Sequence, residues 1–415
     1  MNNKTLKGSW AVAFTVASVW FGTHVGGGFA TGNQVIGYFS KYGDVTALIF
    51  PILAMGLLAI VMHIWLKFAR LNGFDNYKDT ISALYPTPKL EFLFEIFYII
   101  IILAAVAAAV AGAGQVLANF IGVPYEGAMK IVFNLLIVAL LVILSIFGVE
   151  LVTAASTVLS IAIMIISLLM VIVGLGSAGM IDDLVAQFGI QPAAYTDAMG
   201  ESIWRGIFVY AAFQCVSIPP MIAASSTMST KGTGRACFLG WLMNGLALGL
   251  SGFTLAKWYP LLKGLEDAAK AAQAAGTLDG SGLTAYHNAT GIPNQTMLTL
   301  IGVKWLLWIF SILLFCAFVS TCVTLIYTMV QRFEPKLVKV NDEGEFIRGI
   351  QNETLRRVIV AIIAIAVCFA ISLLGLSKIT TLFYGYDGYY ALIVVVLPAF
   401  IWGIPKIKKL EAGKK

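Results

Sequence analysis

The residues of this chain whose types and spacing could do chemistry sit at interruptions of apolar stretches. The first is Gly22-Thr23-His24-Val25-Gly26-Gly27-Gly28-Phe29-Ala30-Thr31-Gly32, five glycines in eleven residues within the apolar run from Trp10 to Phe39. In hydrocarbon an unpaired backbone group is costly, so non-helical backbone persists only where protein or a water-filled cavity surrounds it. A chain opened there offers bare amides and carbonyls, a binding surface that needs no charged side chain. The second is Phe213-Gln214-Cys215-Val216-Ser217-Ile218-Pro219-Pro220. Paired prolines remove two amide donors and clash with the preceding turn, so a helix is expected to break or kink just before Pro219. A third segment, Ala317-Phe318-Val319-Ser320-Thr321, places two adjacent hydroxyls on one helix, with the Ala317 carbonyl one turn earlier on the same face. Such neutral oxygens suit a hard monovalent cation. Ser and Thr in apolar helices also bond back to the i−4 carbonyl or to a neighbouring helix, and that alternative stays open.

His24 is the only histidine within a broken stretch. It could contact a ligand, carry a proton or hydrogen-bond a freed carbonyl. His63 reads as interfacial and His287 as a loop residue. Gln115 and Asn244 are polar residues inside apolar runs, more often interhelical glue than ligands. Gln115 follows Ala111-Gly112-Ala113-Gly114, where a close approach is possible.

Long apolar helices must position these groups. The chain is 59% hydrophobic and 12% charged with a mean hydropathy of +0.89, outside the range of a soluble domain of 415 residues. Apolar windows between polar punctuation give ten spans: 8–40 (broken), 45–69, 88–121, 126–147, 150–175, 200–229 (broken), 233–257, 296–330, 354–376 and 383–404. With the N-terminus inside, 19 of the 27 basic residues fall on the inner side, which supports N-in, C-in and an even number of spans in a bacterial plasma membrane. The formal charge of +6 therefore follows loop placement. No basic-aromatic stretch is long enough to track a nucleic acid.

All five cysteines lie in apolar segments without a C-x-x-C pair, which suggests neither disulfides nor zinc. The outer loop 259–296 carries an alanine-rich amphipathic stretch, Leu261 to Lys270, expected to form a short separate helix in a lid. The connector 332–352 is mixed and charged, with room for a short helix. Asn288-Ala289-Thr290 and Asn294-Gln295-Thr296 match a glycosylation triplet that occurs often by chance, and carry no weight.

The two breaks fall in the first and sixth spans, corresponding places in two sets of five. Corresponding interrupted segments are the best sequence pointer to a transporter binding site. An odd repeat length makes the halves, 8–175 and 200–404, inverted within a single transmembrane domain. This plan resembles the LeuT-type fold of the amino acid–polyamine–organocation superfamily, whose helix 1 pattern is matched by Gly22-Thr23-His24-Val25-Gly26-Gly27-Gly28. Phe208 to Gln214 resembles the aromatic-rich break of amino acid permeases. The Gly26-to-Gln34 run is similar to that of the YkvI-type bacterial membrane proteins.

The resemblance implies an all-α transporter in which helices 1, 2, 6 and 7 rock against 3, 4, 8 and 9. It implies a Na+ site made by the carbonyls of Gly22, Val25 and Ala317 with the hydroxyls of Ser320 and Thr321. A second sodium site is disfavoured, because Phe29 stands where the pattern needs an amide side chain. The absence of lysine in the fifth span favours sodium over a proton as coupling ion. Candidate substrate contacts are Thr23, His24, Gly26, Gly27 and Gly28 at the first break, Gln115, and Tyr210, Phe213, Gln214, Cys215 and Ser217 at the second. The amides of Gly27, Gly28 and Phe29 suit a carboxylate, and the carbonyls of Phe213, Gln214 and Cys215 an ammonium. The resulting expectation is a cation-coupled symporter of an amino acid or similar zwitterion, with a proton-coupled carrier, an exchanger, or a transporter-like sensor or channel as alternatives. Neither an organic cofactor nor an obligate protein partner is implied. Membrane-enzyme motifs such as H-E-x-x-H or G-x-S-x-G are absent, and so is a P-loop ending.

Overall fold

In the computed structural model, residues 9–24, 27–147, 149–278, 281–340 and 346–413 are described. The order begins with Trp10–His24 (α1), Gly27–Thr31 (α2), Asn33–Tyr38 (α3), Asp44–Asn72 (α4), Tyr77–Leu84 (α5) and Glu91–Ile121 (α6). It continues through Gly127–Phe147 (α7), Val149–Gly176 (α8) and Ile181–Phe188 (α9). The sixth stretch comprises Met199–Ile203 (α10), a π-helical turn Trp204–Val209, Tyr210–Phe213 (α11), a 3₁₀ turn Gln214–Ser217 and Ile218–Ala224 (α12). Then follow Thr230–Ala274 (α13), Pro293–Ile301 (α14) and Lys304–Phe333 (α15), and a hairpin of Val338–Val340 (β1) with Phe346–Gly349 (β2). The chain closes with Glu353–Ser372 (α16), Leu376–Ala391 (α17), two π-helical turns and Ile404–Ala412 (α18).

Among the described residues eight helices are long and apolar enough to cross a membrane, nine if the 46° bent pair Ile161–Gly176 and Ala178–Phe188 is one span. At 15 residues α1 is too short to be among them alone. The molecule is a multi-pass membrane protein. Ile131, Leu136, Ile165, Leu168, Ile172 and Ile363 on α7, α8 and α16 are exposed, an apolar surface that suits lipid and not water.

Two packed groups emerge. In one, α13 lies along α4 and α1, and α12 also packs on both α1 and α4. Backbones approach closely there: a Cβ at Gly249 would stand 2.8 Å from the Leu48 carbonyl oxygen, and one at Gly252 would meet the Ala47 carbonyl more closely still. Small residues at such crossings let helices associate without an aqueous hydrophobic drive. In the other group, α6 is the hub for α7, α15 and α16, and α15 also packs on α8. Helix α17 packs against α6 on one side and against α11 on the other, so it touches both groups.

Several expected boundaries shift. The stretch 261–270 is helical, but as the last turns of α13, which runs on through Pro260. The span expected at 296–330 is divided at Gly302, whose φ of 81° ends α14, and the long helix starts at Lys304. The connector after α15 forms the β1–β2 hairpin, with antiparallel pairs from Val338↔Gly349 to Val340↔Phe346. Most consequential is the sixth stretch, which does not unwind. Its backbone passes from π to α to 3₁₀ to α, and the Ile218 amide bonds to the Cys215 carbonyl in the tighter turn. Pro219 then sits in the first turn of α12, where a missing amide costs nothing inside the helix.

Candidate functional site

Among the described residues the first interrupted stretch is divided at Gly32. α1 ends at His24, α2 is a single short turn, and Gly32 separates it from α3 with a left-handed φ of 82°. Only glycine fits there. A Cβ at Gly32 would lie 2.6 Å from Leu255 Cδ1 and 2.9 Å from Pro293 Cγ. The carbonyls freed by the break find side-chain donors. Asn294 Nδ2 donates to the Ala30 carbonyl at 2.9 Å, and Thr31 Oγ1 to that of Gly28 at 3.0 Å. Asn33 anchors the far side: its Nδ2 donates to Ser377 Oγ at 2.8 Å and its Oδ1 accepts from Thr380 Oγ1 at 2.6 Å.

His24 joins this stretch to the sixth. Asn244 Nδ2 donates to the Gly240 carbonyl at 2.8 Å, which turns Asn244 Oδ1 toward His24 Nδ1 at 2.7 Å. Because Oδ1 only accepts, Nδ1 carries the proton and donates. Nε2 is then the acceptor, and Tyr210 Oη donates to it at 3.0 Å. The neutral imidazole completes this order, and Gln214 Nε2 donates to Tyr210 Oη at the longer distance of 3.5 Å. One buried histidine thus connects α1, α11 and α13, and neither ring nitrogen goes to a freed backbone carbonyl as one expectation had it. A second link is Thr23 Oγ1, which donates to the Trp20 carbonyl at 2.8 Å and stands 3.4 Å from Ser217 Oγ.

An aromatic cluster closes around Tyr210. Its ring centroid lies 4.8 Å from Phe213, 4.8 Å from Phe39 and 5.4 Å from Tyr38, while Phe213 meets Tyr384 edge-on at 5.3 Å. Tyr210, Phe213, Gln214, Cys215 and Ser217 are all buried, so this face is shut in the structure. Cys215 stands apart: its thiol bonds back to the Ala211 carbonyl and its own carbonyl is used by Ile218. The expected ammonium-binding carbonyl at that position is therefore already paired.

Gln115 is placed elsewhere. It is buried on α6 with Oε1 unpartnered among the described residues, and lines a cavity of about 290 Å³ with Asn119, Tyr125, His287, Gln295 and Ser311. Gly27 and Gly28 belong to α2, and a Cβ on Gly28 would strike the Gln34 side chain. Of the expected cation ligands, Val25 lies outside the described residues, as does Gly26 among the substrate contacts. Gly22 is in the last turn of α1, while Ala317 and Ser320 are buried on α15 and Thr321 is half-buried. The helix that carries the paired hydroxyls, α15, packs on α2.

Sequence reasoning missed Asn33, Tyr38, Phe39, Tyr384 and Asn294. A clue existed for Asn294: it is 8% exposed, so its triplet marks a helix-capping donor and not a sugar site. Asn244 acts as the interhelical glue its position suggested.

No protein-family model matches the chain, and no curated protein matches it in sequence. Among solved structures it is similar to a Na+-coupled sialic acid symporter in a substrate-bound outward-open state. The likeness has 15% identity and a TM-score of 0.59, over 94% of this chain and 79% of that one. It is also similar to MhsT in complex with L-phenylalanine, at 14% identity and a TM-score of 0.51, over 96% of this chain and 88% of that one. At these identities the likeness is one of fold, and the fold is the LeuT type.

Proposed function

We propose that this chain is a secondary transporter and not an enzyme, a sodium symporter of an amino acid or similar small zwitterion working by alternating access. The observation that carries the reading is the His24–Tyr210 hydrogen bond, which ties the two interrupted stretches to each other inside a shut, aromatic-walled face. The two neighbours in fold supply the chemistry of the cargo: one is Na+-coupled with sialic acid, the other holds L-phenylalanine, and both solutes bear a carboxylate.

In this reading the backbone around Gly27 and Gly28 receives the solute's carboxylate, and the Tyr210–Phe213 wall receives its side chain. Sodium lies between the Gly22 and Val25 carbonyls and the Ala317, Ser320 and Thr321 oxygens, linking α1 to α15. The reading has α1, α4, the sixth stretch and α13 move against α6, α7, α15 and α16, a division supported by the separate packing of α13, α4, α1 and α12 and of α6, α7, α15 and α16. Ten helices in two inverted halves, 8–175 and 200–404, with both termini in the cytoplasm and 259–296 as an outer lid, complete the proposal. So does membership of the YkvI-type group.

Thermal unfolding of the purified protein against a panel of L-amino acids, in sodium and in potassium buffer, tests the reading. A ligand at roughly a hundredfold excess over Kd should stabilise the protein by about 2.7 kcal/mol, and only with sodium present. Equal stabilisation in potassium would remove sodium from the mechanism.

A further inference from the structure

Asp387 is the group that the sodium reading leaves unused. It lies on α17, in the helical stretch Leu376–Ala412 that is long and apolar enough to cross a membrane. The residue is 2% exposed, and neither carboxylate oxygen has a hydrogen-bond partner among the described residues. Buried polar groups are as a rule bonded, and an ionisable residue within a membrane-spanning helix marks a function by default.

Its surroundings narrow the occupant. On α17 the titratable neighbours are Tyr384 and Tyr390. The Tyr390 hydroxyl donates to the Leu93 carbonyl at 3.0 Å, and the Tyr384 ring packs on Phe213. Lys378 is in the first turn of α17, well removed along the helix. The charged groups on the helices packed against α17 are engaged elsewhere. Arg205 pairs with Glu201 at 3.6 Å and stands over the Tyr38 ring, and Glu95 on α6 pairs with Arg332. On α16, Arg356 pairs with Glu334 and Arg357 with Glu353. Tyr38 and Tyr210 are the remaining titratable groups on α3 and α11, and their hydroxyls go to the Thr380 carbonyl and to His24.

An ionised carboxylate with no partner here is costly, and either a metal cation or a proton would relieve it. A metal ion needs several converging ligands. No group of three His, Cys, Asp or Glu that could hold a multivalent metal occurs among the described residues, and neither Asp387 oxygen has a hydroxyl or amide donor in reach. The backbone next to Asp387 is also packed hard against helix 6: a Cβ on Gly388 would lie 2.6 Å from Val209 Cγ1 and 2.7 Å from its carbonyl oxygen. A proton needs no further ligand, so it is the occupant that an unpartnered, buried carboxylate favours.

The contact is also placed to shear. Val209 ends the π-helical turn of helix 6, and such turns recur at functional sites. On its other side α17 packs against α6 of the static group. Any motion of the sixth stretch against α6 must shear at least one face of α17, the helix that carries Asp387. We propose that Asp387 is a proton site that loads and unloads as this contact shears, so that a proton moves together with the solute and its sodium. In the loading step the carboxylate takes H+ from water on the open side, and in unloading the carboxyl O–H bond breaks and H+ returns to water on the other side.

This inference rests on the transporter reading, and two measurements separate them. The first is infrared difference spectroscopy of the purified full chain between neutral and alkaline buffer. The wild type should show a protonated-carboxyl band that Asp387→Asn lacks and Asp387→Glu keeps at a shifted frequency. A band common to wild type and Asp387→Asn overturns the proposal, as does the absence of any such band. The second is uptake of a labelled L-amino acid mixture into proteoliposomes, with and without an inward pH gradient. Stimulation by the gradient in wild type and Asp387→Glu, lost in Asp387→Asn, supports it; equal stimulation in all three overturns it. If neither protein takes up solute in any condition the transport reading fails, while the infrared band still decides whether Asp387 holds a proton.

Discussion

The two interruptions differ in kind. In the first stretch a glycine leaves helical geometry: α2 lasts one short turn, and Gly32, in a left-handed conformation, separates it from α3. In the sixth, two prolines only change the helix type, and the backbone stays helical from Met199 to Ala224. Glycine removes the penalty for non-helical backbone, whereas proline removes a donor and a tightened turn can absorb that loss. One stretch therefore frees backbone groups, which side chains such as Asn294 and Thr31 take up. The other offers side chains, namely Tyr210, Phe213 and Gln214.

The largest test of this contrast is Gly32→Ala. A left-handed alanine costs about 1–2 kcal/mol and its Cβ would overpack Leu255 and Pro293 for about 1–3 more, so chemical unfolding in detergent should show a loss of about 2–5 kcal/mol. A neutral result would mean that the division at Gly32 relaxes freely. His24→Ala comes next. It leaves Asn244 Oδ1 and Tyr210 Oη unpaired in a dry site, at about 3 kcal/mol in all. A double-mutant cycle with Tyr210→Phe should return a coupling of about 1 kcal/mol, and additivity would break the proposed link between the two stretches.

Smaller again is Asn294→Ala, which strips the donor from the Ala30 carbonyl and should cost about 1–2 kcal/mol by the same unfolding assay. The smallest effect sharpens the contrast most. Replacing Pro219 and Pro220 together by alanine should change stability by no more than about 1 kcal/mol, since the first turn of α12 needs no amides inside the helix. A cost matching that of Gly32→Ala would show that the sixth stretch depends on its prolines as the first depends on its glycines.

Much of the site was legible where residue type alone constrains the backbone. The glycine run located the divided stretch, and Tyr210 and Phe213 were legible as an aromatic wall. The Ser320–Thr321 pair was placed on a helix that does pack on α2. What stayed hidden depended on tertiary partners. Nothing in the sequence pairs His24 with Asn244, or brings Tyr38 and Tyr384 around Tyr210. Nor does it say that Gln115 faces a cavity beside the loop residues 284–299. The sixth break was overestimated because the proline rule describes an α-helix, and the chain switches to a 3₁₀ turn instead. Asp387 went unremarked in the sequence, and only the packing of α17 reveals a buried acid neither of whose oxygens finds a partner.

The central claim is that the interrupted first stretch and the α15 hydroxyls together hold a sodium ion that drives solute across the membrane. Uptake of labelled L-amino acids into proteoliposomes, driven by an inward sodium gradient, tests it most directly when wild type is set beside Ser320→Ala with Thr321→Ala. The account predicts uptake that needs the gradient in wild type and is lost in the double variant. Uptake indifferent to sodium, or unchanged sodium dependence in the double variant, would contradict it.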